Sequence, residues 1–472
     1  MVDSQTGISG VGDNYEDEFF SLNGFKKNHF DERIIDSYFS EIKTVASIEN
    51  TPFEFMFTVP DDCFLEQSET LLEGEFKVLK SDGTNVGDTN EISLCNLPSA
   101  AIFEQIECKI NDENCSDVSR KLYPFKAHVC SELSYSKGAK TSVLRPSLYL
   151  YEPGKADSND SSNSGNEYLK IRKNWAKGSK RIKFSTKIYL DIFHTRKQVP
   201  PSSKLYLKLI KNNDEFPLIQ SNNTESYKIS MINLKLVLKL VKPHEKFLKY
   251  FRNSIQRENY VINCTNTMVK SFVCKSGETT VHIPNINTEK YLPRQVIACF
   301  VNRNAFNGDK SKNPFIYKPY DLKRMEIKLD SGKIFKLQRE NESLDLSSIT
   351  HSGIECYQKF LDGVGFSENT SDIGINFEKF ISESFFGVFN FSDYDNCNGF
   401  HLHKPLFGSY SFFTEFNKAL ENDIEIVLFN VFQASFTIDQ RNYFLRLTYF
   451  PTTEFYKFVN FRNSTKLQTL KK

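Results

Sequence analysis

Residues 227–251 read YKISMINLKLVLKLVKPHEKFLKYF. In the first two thirds, Ile232, Leu234, Leu236, Leu238 and Leu240 share one parity, while Asn233, Lys235 and Lys239 fall on the other. A period of two puts alternate side chains on opposite faces of an extended chain, so a long strand with one buried and one wetter face is predicted. Pro243 ends the alternation, and Phe247, Leu248, Phe251 and Ile255 come next at helical spacing. The longest strand thus sits near the middle of the chain, is capped by a short helix, and is followed by further strands. That order predicts two β-units, the second opened by this strand.

Length and composition agree. A chain of 472 residues exceeds one ordinary core, so two domains or a double domain are expected. The 43 phenylalanines and 21 tyrosines stand against a single tryptophan, Trp175, and 5 methionines. Phe and Tyr favour half-buried pleated surfaces, which again points to strands. Lys plus Arg total 60 and Asp plus Glu 59, so no global field draws the chain to nucleic acid or an anionic membrane. The 10 cysteines are scattered without a CxxC pair, which argues against structural zinc and suits the nucleus or cytosol. The polar, acidic start MVDSQTGISGVGDNYEDEFF has no basic n-region or apolar h-region, so no signal peptide is expected. No run of 18 apolar residues predicts a transmembrane helix. The sequons at Asn222 and Asn369 reflect an Asn/Ser/Thr-rich composition rather than glycosylation.

Strand-like stretches recur along the chain: FEFMFTV at 53–59, LLEGEFKVLK at 71–80 with a turn at Ser81-Asp82-Gly83, EISLCNL, FEQIECKIN and KLYPFKAHVCSELSY at 121–135. After the polar segment 152–167 (EPGKADSNDSSNSGNE) come KRIKFSTKIYLDIF and SKLYLKLIKNNDEFPLI. Beyond the central strand lie VKSFVCKSG, RQVIACFVN, the hairpin MEIKLDSGKIFKL, a helix around 353–361, FFGVFNFSD, SYSFFTEFN and IEIVLFNVFQASFTID. Many short strands, few helices and frequent turns predict an all-β protein. The expected organisation is an N-terminal arm (1–40), a first eight-stranded sandwich (41–220), a second (221–452) and a C-terminal tail (453–472). Two tandem jelly-roll sandwiches with a few short helices make a double jelly roll. The segment 152–167 is expected to project from the first sandwich, free of core contacts.

Candidate chemistry is sparse. His401-Leu402-His403 could present two imidazoles on one strand face, as in cupin metal sites, but Phe407 and Gly408 stand where the further Glu ligand belongs. Two partly exposed histidines are the plainer reading. The run KIRKNWAKGSKRIK (170–183) carries seven basic residues around Trp175, a pattern that can grip single-stranded nucleic acid; a solvated loop and strand with Trp175 packed locally is preferred. The tail's KLQTLKK is a weaker basic cluster. Cys108 and Cys115 flank the turn INDEN, but a disulfide suits the inferred compartment poorly. GxSxG, Walker, GxGxxG and HExxH motifs are all missing. No enzyme activity, catalytic residue, metal ligand or cofactor is expected.

Several segments resemble the major capsid protein of Maverick (Polinton) elements, the virus-like DNA transposons of animals. They are LLEGEFKVLKSDG, LYPFKAHVCSELSYSKGAKTSVL, NEYLKIRKNWAKGSKRIKF, KIYLDIFHTRKQVPPSSKLYLKLIKNNDEF and YKISMINLKLVLKLVKP in the first half. LPRQVIACFVNRNAFNGDKSKNPFIY, FFGVFNFSDYD and DIEIVLFNVFQASFTIDQRN continue it, so residues 36–445 match in order. The arm and the Asn/Ser loop depart from the pattern. The resemblance implies the double jelly roll shared with adenovirus hexons, virophages and large DNA viruses. It implies a structural shell protein that forms homotrimeric, pseudo-hexagonal capsomers and meets neighbouring capsomers and penton or minor capsid proteins. Contact with packaged DNA would be weak and non-specific, and the protein would reside in virion-like particles assembled in the nucleus or cytoplasm. The arm mixes Asp13, Glu16 and Asp17 with Phe19, Phe20, Leu22, Phe25 and Phe30, and is expected to serve assembly rather than folding. The competing class is a soluble β-sandwich that binds a ligand or carbohydrate, for which a concave aromatic site would be the mark.

Overall fold

The period-two stretches pair into four main sheets. The computed structural model describes residues 34–448 apart from 49–50, 89, 116–120, 160–164, 221–224, 287–290, 339–341, 347–348, 367–371, 392–406 and 439–444. In the first sandwich, one sheet runs β1 (Ile34–Lys43), β11 (Tyr227–Pro243), β4 (Leu71–Lys80), β8 (Ile182–Lys187), with β3 (Phe64–Leu65) beside β11. The facing sheet runs β2 (Phe53–Thr58), β9 (Lys204–Lys211), β6 (Phe103–Ile110), β7 (Glu113–Asn114). A small pair, β5 (Ile92–Leu94) and β10 (Leu218–Gln220), lies apart.

The second sandwich has one sheet of β12 (Tyr260–Cys274), β19 (Ile424–Ile438), β14 (Gln295–Asn302) and β17 (Gly387–Asn390), with β20 (Leu445–Thr448) beside β19. Its partner sheet runs β13 (Thr280–Ile283), β18 (Tyr410–Phe416), β15 (Leu322–Leu329), β16 (Ile334–Lys336). When the main strands of each unit are numbered one to eight, both rolls read 1-8-3-6 in one sheet and 2-7-4-5 in the other. The pairings between these strands are antiparallel. This is a jelly roll made twice, as the sequence predicts.

Alternation decides the inward faces. In β9, Leu205, Leu207 and Leu209 point inward, and in β18 Tyr410, Phe412, Thr414 and Phe416 do so. Buried apolar residues of both rolls form one continuous cluster.

The structure corrects four expectations. The strand 227–243 does not open the second roll but closes the first. It is that roll's eighth strand, held between β1 and β4, with Leu234, Leu236, Leu238 and Leu240 in the first core. The change-over therefore falls at His244, not at 221. A local alternating pattern specifies a face but not the sandwich that owns it. The helix Glu245–Ile255 is the connection between rolls; Phe251 meets Phe64 of the first roll and Tyr260 of the second, ring centres 5.0 and 5.6 Å apart.

Second, residues 34–40, assigned to the arm, belong to strand β1, while 1–33 lie outside the described residues. Third, 121–135 is not a strand: Tyr123–Leu133 is a helix begun by Pro124 in its first turn. Fourth, 152–159 is docked rather than free. Asn313 Nδ2 donates to Ala156 O at 2.9 Å, Lys318 pairs with Asp157 at 2.5 Å, and the Asp157 N–H donates to Glu383. A polar segment needs no apolar anchor where polar partners await it. Residues 160–164 of that segment lie outside the described residues.

Candidate functional site

The residues that fix the two rolls against each other meet at one helix. Tyr123–Leu133 belongs to the first roll and lies against the second, so every residue in it except Cys130 is buried. Phe125 stacks on Phe306 of the second roll at 5.0 Å and meets Phe315 edge-on at 5.9 Å. His128 lies flat on Phe315, 4.3 Å between ring centres. Aromatic pairs of this kind each add about 0.5–1.5 kcal/mol beyond their area burial.

Next to these rings lies a buried ionic cluster. Glu132 of the first roll pairs with Lys140 at 3.2 Å and with Lys379 of the second roll at 3.6 Å. It also accepts a hydrogen bond from Tyr149. Lys140 Nζ donates across the junction to Ile373 O at 2.7 Å. Burial alone would raise the Glu132 carboxyl, but the two ammonium groups outweigh it and hold the group well below the usual carboxylate range. Burial lowers His128 to about 4, so the imidazole is neutral at pH 7. We assign Nδ1 as the acceptor from the Tyr317 hydroxyl, 3.2 Å away, which leaves Nε2–H towards Glu132 at 4.0 Å. Nearby, Tyr151 donates to Gly374 O at 2.8 Å. Gly374 has φ +78° and sits so close that a Cβ would lie 2.8 Å from the Tyr151 ring.

A third set of contacts clasps the edge of β12. Asp191 accepts from the Thr267 N–H at 3.0 Å and from the hydroxyls of Thr265 and Thr267 at 3.1 and 2.8 Å. Lys126 pairs with Asp191 and donates to Thr267 O at 3.3 Å. Thr195 and Lys197 reach the carbonyls of Asn263 and Val261 at 3.1 and 2.9 Å. The arrangement locks two sandwiches into one body.

The basic run 170–183 is spread over the helix Glu167–Ala176, the short turn after it and the start of β8, rather than a loop and strand. Arg172 is fully buried, paired with Glu152 and bonded to Leu94 O at 2.8 Å. Lys173, Lys177 and Arg181 pair with Glu91, Asp88 and Glu75. Arg145 covers the Trp175 ring at 5.2 Å, so that tryptophan packs locally. Cys108 and Cys115 are not joined by a disulfide; they lie adjacent across the β6–β7 hairpin, where the Cys115 N–H donates to Cys108 O at 2.8 Å. His401 and His403 lie outside the described residues.

Sequence reasoning passed over one grouping of metal-ligand type. Glu342, His351 and Glu355 bring ligand atoms within 4.8 Å of one another, and the i,i+4 spacing of His351 and Glu355 was the available signal. It is largely exposed and lies at the start of the helix His351–Val364, whose positive end opposes a cation. A cleft of about 390 Å³ between the rolls is lined by Glu104, Lys121, Lys211 and three asparagines, with Phe216 and Phe306 as its aromatic walls. The lining is mixed, with charged and amide groups set beside the two rings. No helix among the described residues is long and apolar enough to cross a membrane.

Two like rolls fused by a buried junction define the double jelly-roll class, the architecture of viral major capsid proteins. Known structures agree. The chain is similar to a chain of the Sputnik virophage (TM-score 0.58, 10% identity, 92% of each chain covered). It is also similar to the capsid of the virus PBCV-1 (TM-score 0.53, 12% identity, 90% of this chain and 100% of that one). The mavirus major capsid protein aligns with TM-score 0.50 and 11% identity over 91% of this chain and 93% of that one. In sequence, an uncharacterized protein of Caenorhabditis elegans is 24% identical over 358 residues, 70% of this chain and 80% of the relative. No family model matches.

Proposed function

We propose that this chain is the major capsid subunit of a virus-like DNA transposon of the Maverick/Polinton kind. Three copies form a hexon-like capsomer whose six sandwiches make a pseudo-hexagon, and capsomers tile an icosahedral shell. The observation that carries this reading is the pair of rolls with identical strand order, held at a fixed angle by a buried junction. Six similar units in a closed ring need that angle to be constant, because ring closure fails if each copy bends differently. The capsid neighbours support the shell role, and a relative in an animal genome beside a viral fold supports a chromosomal element.

In this role the subunit is not an enzyme and needs no metal or cofactor. Its partners are itself, adjoining capsomers and penton or minor capsid proteins, with at most weak, non-specific contact with DNA. Its location is the particle, assembled in the nucleus or cytoplasm. Light scattering of the purified chain is expected to give a trimer mass, and electron microscopy hexagonal capsomers or closed shells. A monomer across all concentrations and salt conditions would overturn the proposal.

A further inference from the structure

Strands β1 and β12 hold the same place in their rolls: each is strand one, paired along one side with strand eight. Their outer edges differ. That of β12 is covered by the first roll, whose Asp191, Thr195, Lys197 and Lys126 satisfy the Thr267 N–H and the carbonyls of Val261, Asn263 and Thr267. The β12 residues so held are all odd-numbered, as expected of backbone groups turned away from β19. Among the described residues, nothing pairs with the outer edge of β1. Its first six residues are exposed whichever face they lie on, and Ile34, Ile35, Tyr38 and Phe39 remain 52, 59, 41 and 60% accessible.

A ten-residue edge with four exposed large apolar groups and no Pro or Lys before Lys43 is only lightly protected, by Asp36, Glu41 and a register shift between Ile34 and Asp36. In a ring where first and second rolls alternate, each second roll meets the first roll of the next copy. The in-chain contact, first roll on β12, then has a counterpart between chains, second roll on β1. We propose that the outer edge and apolar side chains of β1 are buried by the second roll of a neighbouring copy, in the position that residues 191–198 take against β12. This rests on the trimer reading above and adds the surface that makes it. Head-to-tail contacts of this heterologous kind close into a ring when three copies complete one full turn.

Hydrogen–deuterium exchange on the full chain, with trimer and diluted monomer side by side, tests it. Among the amides of 34–43, those turned away from β11 are expected to exchange at least tenfold more slowly in the trimer. The double variant Ile35→Asp/Phe39→Asp is expected to raise the trimer dissociation constant at least a hundredfold, with the monomer melting as before. A trimer in which these outward β1 amides exchange as fast as in the monomer overturns the inference and leaves the capsomer reading intact. Slow exchange of the same amides already in the monomer also overturns it, and assigns the cover to the chain's own first 33 residues. A wild-type chain that never trimerises removes the capsomer reading and this inference together.

Discussion

The inner sheet faces and the junction are both buried, yet the junction sets a network of paired charges beside its aromatic rings. Inside the rolls, β9 contributes Leu205, Leu207 and Leu209, and β18 contributes Tyr410, Phe412 and Phe416, groups indifferent to pH across the physiological range. Between the rolls lie Glu132, Lys140, Lys379, His128 and Lys126, each buried and each matched to a partner. Apolar burial is non-directional and tolerates sliding; a charge-assisted network is satisfied in one arrangement only. Each roll is thus held by its core, while the angle between rolls is set by groups that fail if displaced. We expect the two to be separable.

The largest test is Glu132→Ala. It leaves Lys140 and Lys379 buried without their carboxylate, and removal of one member of a buried pair costs about 3–5 kcal/mol. Chemical denaturation is expected to split into two transitions, because the junction fails while both cores persist. Loss in a single transition would show that the rolls cannot stand apart.

Acid should weaken the same region. His128 falls from 6.5 unfolded to about 4 folded, so between those values the unfolded chain binds more protons and stability rises with pH. The contribution is complete above pH 6.5 and is lost on acidification towards pH 4, by about 3 kcal/mol in all. Glu132, with its folded pKa depressed, adds a loss in the same direction at still lower pH, below its unfolded value near 4.5. The other charged groups around His128 are Lys140, Lys379 and Arg172. Urea midpoints measured from pH 7.5 to 4 should fall in wild type, and the slope between pH 6.5 and 4 should flatten in His128→Asn.

Gly374→Ala is expected to cost about 1–2 kcal/mol, since the residue is held at positive φ against the Tyr151 ring. Thermal melts give the value, and an unchanged melting temperature would mean that the 372–376 segment shifts freely. Smallest of all, Phe39→Ser should alter monomer stability by no more than about 0.5 kcal/mol, as for other exposed positions. A larger effect would place Phe39 in the fold of the isolated chain.

Most strands were legible because their inward faces are apolar and their outward faces are not; β4, β9, β15 and β18 follow the alternation closely. The junction helix was not, for a physical reason. A helix buried all round has no amphipathic stripe, and Tyr123, Phe125, Ala127 and Val129 imitate a strand by falling on alternate positions. Its polar residues looked like a wet face because their partners lie far along the chain. Lys126 pairs with Asp191 and Glu132 with Lys379, while His128 rests on an aromatic ring of the other roll. For the same reason Arg172 passed for one of seven solvated charges, although its carboxylate partner, Glu152, is buried with it. The ownership of 227–243 was also hidden, since strand-eight status is a property of the whole roll and not of the segment.

Because strand one pairs with strand eight, Ile34 lies opposite Pro243. During synthesis β1 must therefore wait for about two hundred further residues before its partner exists, roughly 10–40 s at translation rates of 5–20 residues per second. Until then β1 lacks its partner strand. The second roll then begins at β12 beside a first roll that is already complete, and the 191–198 segment is in place to receive the new strand as it emerges. The chain thus carries its own order of assembly, in which the first sandwich serves as a template for the opening strand of the second.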